Sequence, residues 1–230
     1  MKIVIKIGGH IFASRPEKWI KEYSEVLKKL QVDGYKIVAI MGGGIEARKY
    51  IQVAKKLGGS ELICDILGIE VSRLNSRLLI TALGESAYPE PPTSIEDLRK
   101  AFEGGKIVAM GGLQPGHSTN AVGILVAEAI GADLFINATD VDGVYTSDPK
   151  KDPKAKKLDV IKTDELLTLI SRERIEAGSY ALFDPVAIRI VERSGIPTRI
   201  VDGRKPENII RAIIGKAVGT LIEPAREDKR

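Results

Sequence analysis

Four apolar, strand-like runs in the first 145 residues each end in a turn rich in glycine, and this arrangement constrains the chain more than any other feature. The clearest is Lys36-Ile-Val-Ala-Ile-Met41, an apolar run of the kind that forms a buried parallel strand. Gly42-Gly-Gly44 then lets the backbone turn sharply and approach something bulky. A helix pattern follows at once, with Ile45, Tyr50, Ile51 and Ala54 apolar and Glu46, Arg48, Lys49 and Lys55 between them. A strand, a glycine turn and a helix N-terminus in that order can bind an anion, because the first-turn N–H groups are unpaired and the helix dipole points into the gap. Arg48, one turn in, could fork onto a phosphate. A single such corner is equally well a tight βα turn with a surface arginine. Three more corners favour the anion site.

Taken in order, Lys2 to Ile7 reads as a strand ending at Gly8-Gly9, and Ser14 and Glu17 have capping-box spacing before a helix carrying Trp19, Tyr23, Val26, Leu27 and Leu30. Gly34 closes that helix. A long helix spans Glu61 to about Leu83, and its surplus of apolar residues (Ile63, Ile66, Leu67, Val71, Leu74, Leu78) predicts packing beyond the sheet, at a subunit interface. A short strand is expected at Ser86 to Tyr88, a helix after Thr93-Ser94, a strand at Lys106 to Met110, the third corner at Gly111 to Thr119, and a helix from Asn120 to Ile130. Leu134 to Ala138 enters the fourth corner, Thr139 to Tyr145. Asp148 to Lys157 reads as a polar loop, followed by helices from Thr163 to just before Ser171, Pro185 to Arg193 and Pro206 to Ile214, with strands at Thr198 to Val201 and Thr220 to Ile222. Alternating strands and helices predict an α/β fold with a mostly parallel sheet covered on both faces. Ligands bind such sheets at the carboxyl ends of the strands, where the four corners fall.

With 230 residues, 43% hydrophobic and 29% charged, the composition is that of a globular domain with a sizeable core. The net charge of +4 suits anionic small molecules, without the concentrated basic face and interleaved aromatics of a nucleic-acid binder. Cys64, the sole cysteine, rules out an internal disulfide. An early lysine breaks any signal-peptide core, and no run approaches the roughly 20 apolar residues of a membrane span. The expectation is a cytoplasmic protein.

Lys6, near the end of the first strand, is costly among apolar neighbours unless its ammonium meets an anion or water. It either snorkels to solvent from an edge strand or, with Gly8-Gly9 two residues on, contacts a phosphate, the reading preferred here. Gly111-x4-Gly116-His117-Ser118 mimics a phosphate loop, but His117 stands where that motif needs lysine. The loop still offers backbone N–H groups with Ser118, Thr119 and His117. No His, Cys or carboxylate spacing suggests zinc, so no metal-ligating residue is assigned. Asp65, one turn into its helix, is either a surface carboxylate or an acceptor for sugar hydroxyls. Asp140, Asp142 and Asp148, around Gly143 and Tyr145, form either an acidic turn or contacts to a nucleoside. Of Lys150, Lys151, Lys154, Lys156 and Lys157, Lys150 is assigned to a nucleotide phosphate, the others to a solvated loop. No nucleophile elbow or paired catalytic carboxylates stand out. A phosphate monoester acceptor needs no general base, being largely dianionic at neutral pH, so aligning and neutralising two anions would suffice.

Together, Lys6-Ile-Gly-Gly9, Met41-Gly-Gly-Gly44 with Arg48, Gly111-Gly-x-x-Pro-Gly-His-Ser-Thr119, Thr139-Asp-Val-Asp-Gly-Val-Tyr145 and Asp148-Pro-Lys-Lys151 resemble the motifs of the amino-acid-kinase superfamily. The likeness is closest to its archaeal-type uridylate (UMP) kinases and runs from Lys2 to Ile222. The resemblance implies a three-layer αβα sandwich forming one domain over residues 1–230, with an acceptor-binding part at about 1–130 and an ATP-binding part at about 131–225. It also implies Mg2+-dependent transfer from ATP to UMP in pyrimidine nucleotide synthesis, and a homohexamer built as a trimer of dimers. On this likeness Gly9 and His10 lie at the ATP phosphates and Lys6 stabilises the transferred group. Gly43 faces UMP, Gly44 the ATP phosphates, and Arg48 the zone between them. Asp65 holds the ribose. Leu113, Gln114, Pro115, Gly116, His117, Ser118 and Thr119 wrap the UMP, and Thr139, Asp140, Tyr145 and Asp148 line the ATP nucleoside, with Lys150 closing over it. His10 departs from the serine usual in the family, and Asp140 stands where asparagine is also common. Other readings are isopentenyl phosphate kinase, whose histidine after the triple glycine is missing from Ile45 to Lys49, and a non-catalytic nucleotide or oxyanion binder, for which Lys6 is superfluous.

Overall fold

A computed structural model describes residues 1–9, 14–147, 149, 152–172 and 183–225. The first half runs β1 (Lys2–Ile7), α1 (Pro16–Val32), β2 (Lys36–Met41), α2 (Gly44–Lys56), α3 (Glu61–Leu83), α4 (Ile95–Glu103), β3 (Val108–Met110) and α5 (Thr119–Ile130). The second half runs β4 (Leu134–Thr139), β5 (Val144–Tyr145), β6 (Lys157–Leu158), β7 (Val160–Lys162), α6 (Thr163–Arg172), α7 (Pro185–Ser194), β8 (Thr198–Asp202), α8 (Glu207–Ile213) and β9 (Thr220–Glu223). Seven strands form one sheet in the order β3-β2-β1-β4-β8-β9-β7, with β5 and β6 in a separate ribbon. Every neighbouring pair in the large sheet is parallel except β8 with β9.

Alternation along the strands divides the core. Ile3, Ile5, Ile7, Ile37, Ala39, Met41 and Ile136 pack with α1, α3 and α8, while Val4, Val38, Ile40, Val108 and Phe135 pack with α4, α5 and α7. This is the expected three-layer αβα sandwich. Because β3, β2, β1 and β4 are adjacent and parallel, the four glycine-bearing turns emerge on one edge of the sheet.

Several local expectations are corrected. The cap of α1 is not Ser14 but Arg15, in the left-handed region at φ 55°, because Pro16 occupies the first turn and sets where the helix begins. The strand expected at Ser86 to Tyr88 shrinks to a 3-10 turn at Gly84–Ser86 and a single bridge from Ala87 to Ile107, since the prolines that follow have no N–H to continue a ladder. Two short strands went unread after the polar loop: β6 pairs with β5, and β7 extends the sheet beside β9. Helix α6 runs through Ser171 to Arg172. On α2 the core side chains are Ala47 and Ala54, whereas Ile45 and Tyr50 are exposed. Lys6 does not snorkel from an edge, because β1 lies between β2 and β4.

Candidate functional site

The first two corners interlock. A Cβ on Gly9 would stand 2.4 Å from both the Gly42 carbonyl oxygen and the Gly44 nitrogen, and one on Gly42 would stand 2.7 Å from the Gly9 nitrogen. Nothing larger than glycine fits where these backbones meet. Gly44 has φ +67°, which turns the chain into α2. Sequence predicted a close approach to something bulky, and the two turns themselves are part of what is approached.

Helix α3 is the strut behind the second and third corners. Asn75 Nδ2 donates to the Gly42 carbonyl (2.7 Å), and the Gly112 N–H donates to Ser72 Oγ (2.8 Å). Arg73 donates from Nε to the Gly112 carbonyl (3.1 Å) and from Nη2 to that of Leu113 (3.2 Å). One turn into α3, Asp65 Oδ2 accepts from the Gly116 N–H at 2.8 Å, tying down the far side of the third corner. The cavity between them, about 190 Å³ and open to solvent, is lined by Gly43, Gly44, Asp65, Gly112, His117 and Thr119, with Ile51, Cys64, Ile69 and Ser72 among the remaining walls. Five assigned residues, Gly43, Gly44, Asp65, His117 and Thr119, therefore share one cavity.

The other assigned loop residues are placed around it. Gln114 Nε2 and His117 Nδ1 are 3.1 Å apart, and Pro115 offers its carbonyl 3.5 Å from the same ring nitrogen. Ser118 caps α5 by accepting from the Asn120 and Ala121 N–H groups, and its hydroxyl donates to Asp184. Asp184 in turn caps α7 through the Ala187 N–H. One hydroxyl–carboxylate pair thus joins the N-termini of two helices.

Lys6 points to the α5 side of the sheet, level with Ile40 on β2 and Asn137 on β4. Gly123 of α5 passes close above it, with room for no side chain because the Phe135 ring is already there. Lys6 is only 8% exposed, and burial lowers its pKa to about 8, with Asp140 pulling the other way. Thr139 is buried at the end of β4, its hydroxyl 3.4 Å from Asp140 Oδ1. Tyr145 donates to Asp142 (2.9 Å), and burial followed by that carboxylate raises its pKa. Arg48 is exposed over the first turn of α2, its Nε 3.5 Å from the Gly44 carbonyl, and it does not line the 190 Å³ cavity. His10, Asp148 and Lys150 lie outside the described residues.

Sequence reasoning missed Ser72, Arg73, Asn75 and Asp184. The first three had a signal, as polar side chains interrupting an apolar helix face. Asp184 had another, an Asp-Pro pair opening a helix pattern.

A parallel sheet whose carboxyl edge gathers crowded glycine turns, a buried ammonium and an open cavity carrying Asp65, His117 and Thr119 defines a protein built to hold phosphate esters. The amino acid kinase family model matches residues 1–202. The uridylate kinase of Hyperthermus butylicus is 50% identical over 220 residues, covering 96% of this chain and 97% of that protein. That of Methanothermobacter thermautotrophicus is 46% identical over 225 residues, covering 97% and 100%. The crystal structure of uridylate kinase from Archaeoglobus fulgidus superposes with a TM-score of 0.88 at 41% identity, covering 96% of this chain and 100% of that one. The chain belongs to the amino acid kinase family and, within it, to the uridylate kinases.

Proposed function

We propose that this protein is a UMP kinase, transferring the γ-phosphoryl group of ATP to UMP to give UDP and ADP. The observation that carries the reading is the cavity in which Asp65 faces the Gly43–Gly44 turn and the 112–119 loop, beside the corner where Gly9 meets Gly42. Asp65 Oδ2 is taken by Gly116, leaving Oδ1 for a ribose hydroxyl. Residues 113–119 wrap the nucleotide, and Gly43 meets its phosphate. On the donor side Gly9, His10 and Gly44 receive the ATP phosphates. Thr139, Asp140, Tyr145 and Asp148 line the nucleoside, and Lys150 closes over it. On this reading the acceptor part is about residues 1–130, whose Gly9, His10 and Gly44 also reach the donor phosphates, and the ATP part is about 131–225.

An oxygen of the UMP phosphate attacks Pγ, the bond from Pγ to the β-bridging oxygen breaks, and ADP leaves with that electron pair. The attacking oxygen is already ionised, so no side chain removes a proton. Lys6 stabilises the charge on the transferring group from a site that needs no reorganisation, and Arg48 screens the two phosphates from each other. Among the described residues no group of three or more His, Cys, Asp or Glu could cage a metal. Mg2+ is usually held by phosphates and water with one or two carboxylates, and Asp140, whose charge acts on Lys6, would hold it together with the nucleotide phosphates. When bound, the ion neutralises polyphosphate charge.

Leu62, Ile66, Leu74 and Leu78 leave an exposed apolar stripe on α3, which supports dimers assembling as a homohexamer. No helix among the described residues is long and apolar enough to cross a membrane. The likeness to the uridylate kinases supports a cytoplasmic enzyme of pyrimidine nucleotide synthesis. A coupled phosphotransfer screen with ATP and Mg2+ tests the reading: UMP should be phosphorylated much faster than CMP, AMP or isopentenyl phosphate. Turnover of isopentenyl phosphate but not UMP would reverse it.

A further inference from the structure

We propose that Arg73 sets the base preference of the acceptor loop, favouring a pyrimidine with a carbonyl at C4 over one with an amino group there. The inference rests on the reading that this loop holds UMP.

Arg73 spends its guanidinium fork on the carbonyls of Gly112 and Leu113. The described chain has no cis peptide, and in a trans peptide the carbonyl of one residue and the N–H of the next point in opposite directions. Anchoring those two carbonyls on α3 therefore turns the N–H groups of Leu113 and Gln114 away from it. Among the described residues neither N–H donates to a partner in the fold. The Gly112 N–H is already held by Ser72, and the Gly116 N–H by Asp65. Beyond the cavity wall at Gly112, the loop thus presents two adjacent donors with their neighbouring carbonyls withdrawn.

Such an edge suits the C4 carbonyl of uracil. The 4-amino group of cytosine is itself a donor there and would meet the half-buried Leu113 and the exposed Gln114 N–H groups donor to donor, a mismatch that discriminates once the bound base shuts out water. Gly111 and Gly112 restrain their own torsions little and press against α3 at Ser72 and Ile69; with the Gly112 N–H held by Ser72, the two peptides that follow are gripped by Arg73 at their carbonyls. Arg73 can grip both because its planar fork carries several donors and stays charged, whereas lysine offers one ammonium.

The test compares kcat/KM for UMP and CMP, with ATP and Mg2+, in wild type, Arg73→Met and Arg73→Lys, with thermal melts of each. In Arg73→Met the UMP-to-CMP ratio should fall at least about tenfold, the loss with UMP falling on KM more than on kcat. Arg73→Lys should recover part of the ratio. Equal losses on both nucleotides, or an unchanged ratio, would show a merely structural arginine and overturn the inference. If Arg73→Met melts below the assay temperature, Arg73→Lys carries the comparison, and an unchanged ratio in it has the same meaning. A wild type that ignores UMP overturns the parent reading and this one with it, whereas an unchanged ratio in an active variant overturns this one alone.

Discussion

Lys6→Met exchanges a buried ammonium for a thioether of similar length. In the wild type the surroundings of Lys6 depress its pKa from 10.5 to about 8, chiefly by burial. At about 1.4 kcal/mol per pH unit, keeping that charge folded costs about 3 kcal/mol at neutral pH. For a chain of this size, removing the cost should raise the melting temperature of the ligand-free protein by about 6–12 °C. Asp140, which loses one cation but still interacts with Arg204, is exposed and stays solvated. The sign of the pH dependence separates this cause from better packing. Between about pH 8 and 10.5 the unfolded chain keeps the Lys6 proton and the folded chain does not, so unfolding takes up a proton and wild-type stability rises with pH. The advantage of the variant is therefore full below pH 8 and fades as pH approaches 10.5. Turnover should fall by at least about 100-fold, while UMP binding is nearly retained, because the ammonium acts on the transferring group. Melting curves at pH 7 and pH 10, with the coupled assay at pH 7, measure all of this. A lower melting point at pH 7, a gap that does not shrink at pH 10, or unimpaired turnover would refute the reasoning.

For the free wild-type enzyme, kcat/KM should fall as pH rises through about 8, where Lys6 loses its proton, and a profile flat to pH 10 would remove its cationic role. Gly9→Ala should destabilise the protein by about 1–3 kcal/mol, because its Cβ would enter the Gly42–Gly44 turn; the melting temperature and the KM for ATP report it, and an unchanged enzyme would deny the interlock. Asp65→Asn keeps an oxygen for the Gly116 N–H but loses the charge, so the KM for UMP should rise about tenfold with kcat little changed, as steady-state kinetics would show. Leu74→Asp places a charge in the exposed stripe of α3 and should shift sedimentation toward smaller species, whereas an unchanged boundary would move the interface elsewhere.

The corners were legible because their cause is local: a β-branched run, glycines and a helix pattern follow one another in sequence, and parallel pairing puts all four on one edge. What supports them was not. Arg73 is 39 and 40 residues from the carbonyls it holds, and Asn75 is 33 from Gly42, so sequence shows polar residues on an apolar helix without showing what they reach. Strand β7 was invisible for a similar reason. Its three residues owe their conformation to β9, and no alternation that short marks a strand. The apolar α3 was read as a surface reaching beyond the sheet, and its outward leucines are exposed. The same pattern misled on α2, where Ile45 and Tyr50 matched a core face yet are exposed, and the buried side chains are two small alanines on a helix that packs against α3. The place of Asp65 at a loop amide also lay beyond sequence, since its partner is 51 residues away.

The most direct measurement is a crystal structure of the protein with UMP and a non-hydrolysable ATP analogue. Uracil should lie along the Leu113–Gln114 backbone and the ribose on Asp65. The two phosphate groups should face each other across the Gly9, Gly43 and Gly44 turns, with Lys6 Nζ in hydrogen-bond reach of the γ-group. UMP bound away from the 112–119 loop, or a γ-phosphate remote from Lys6, would contradict the account.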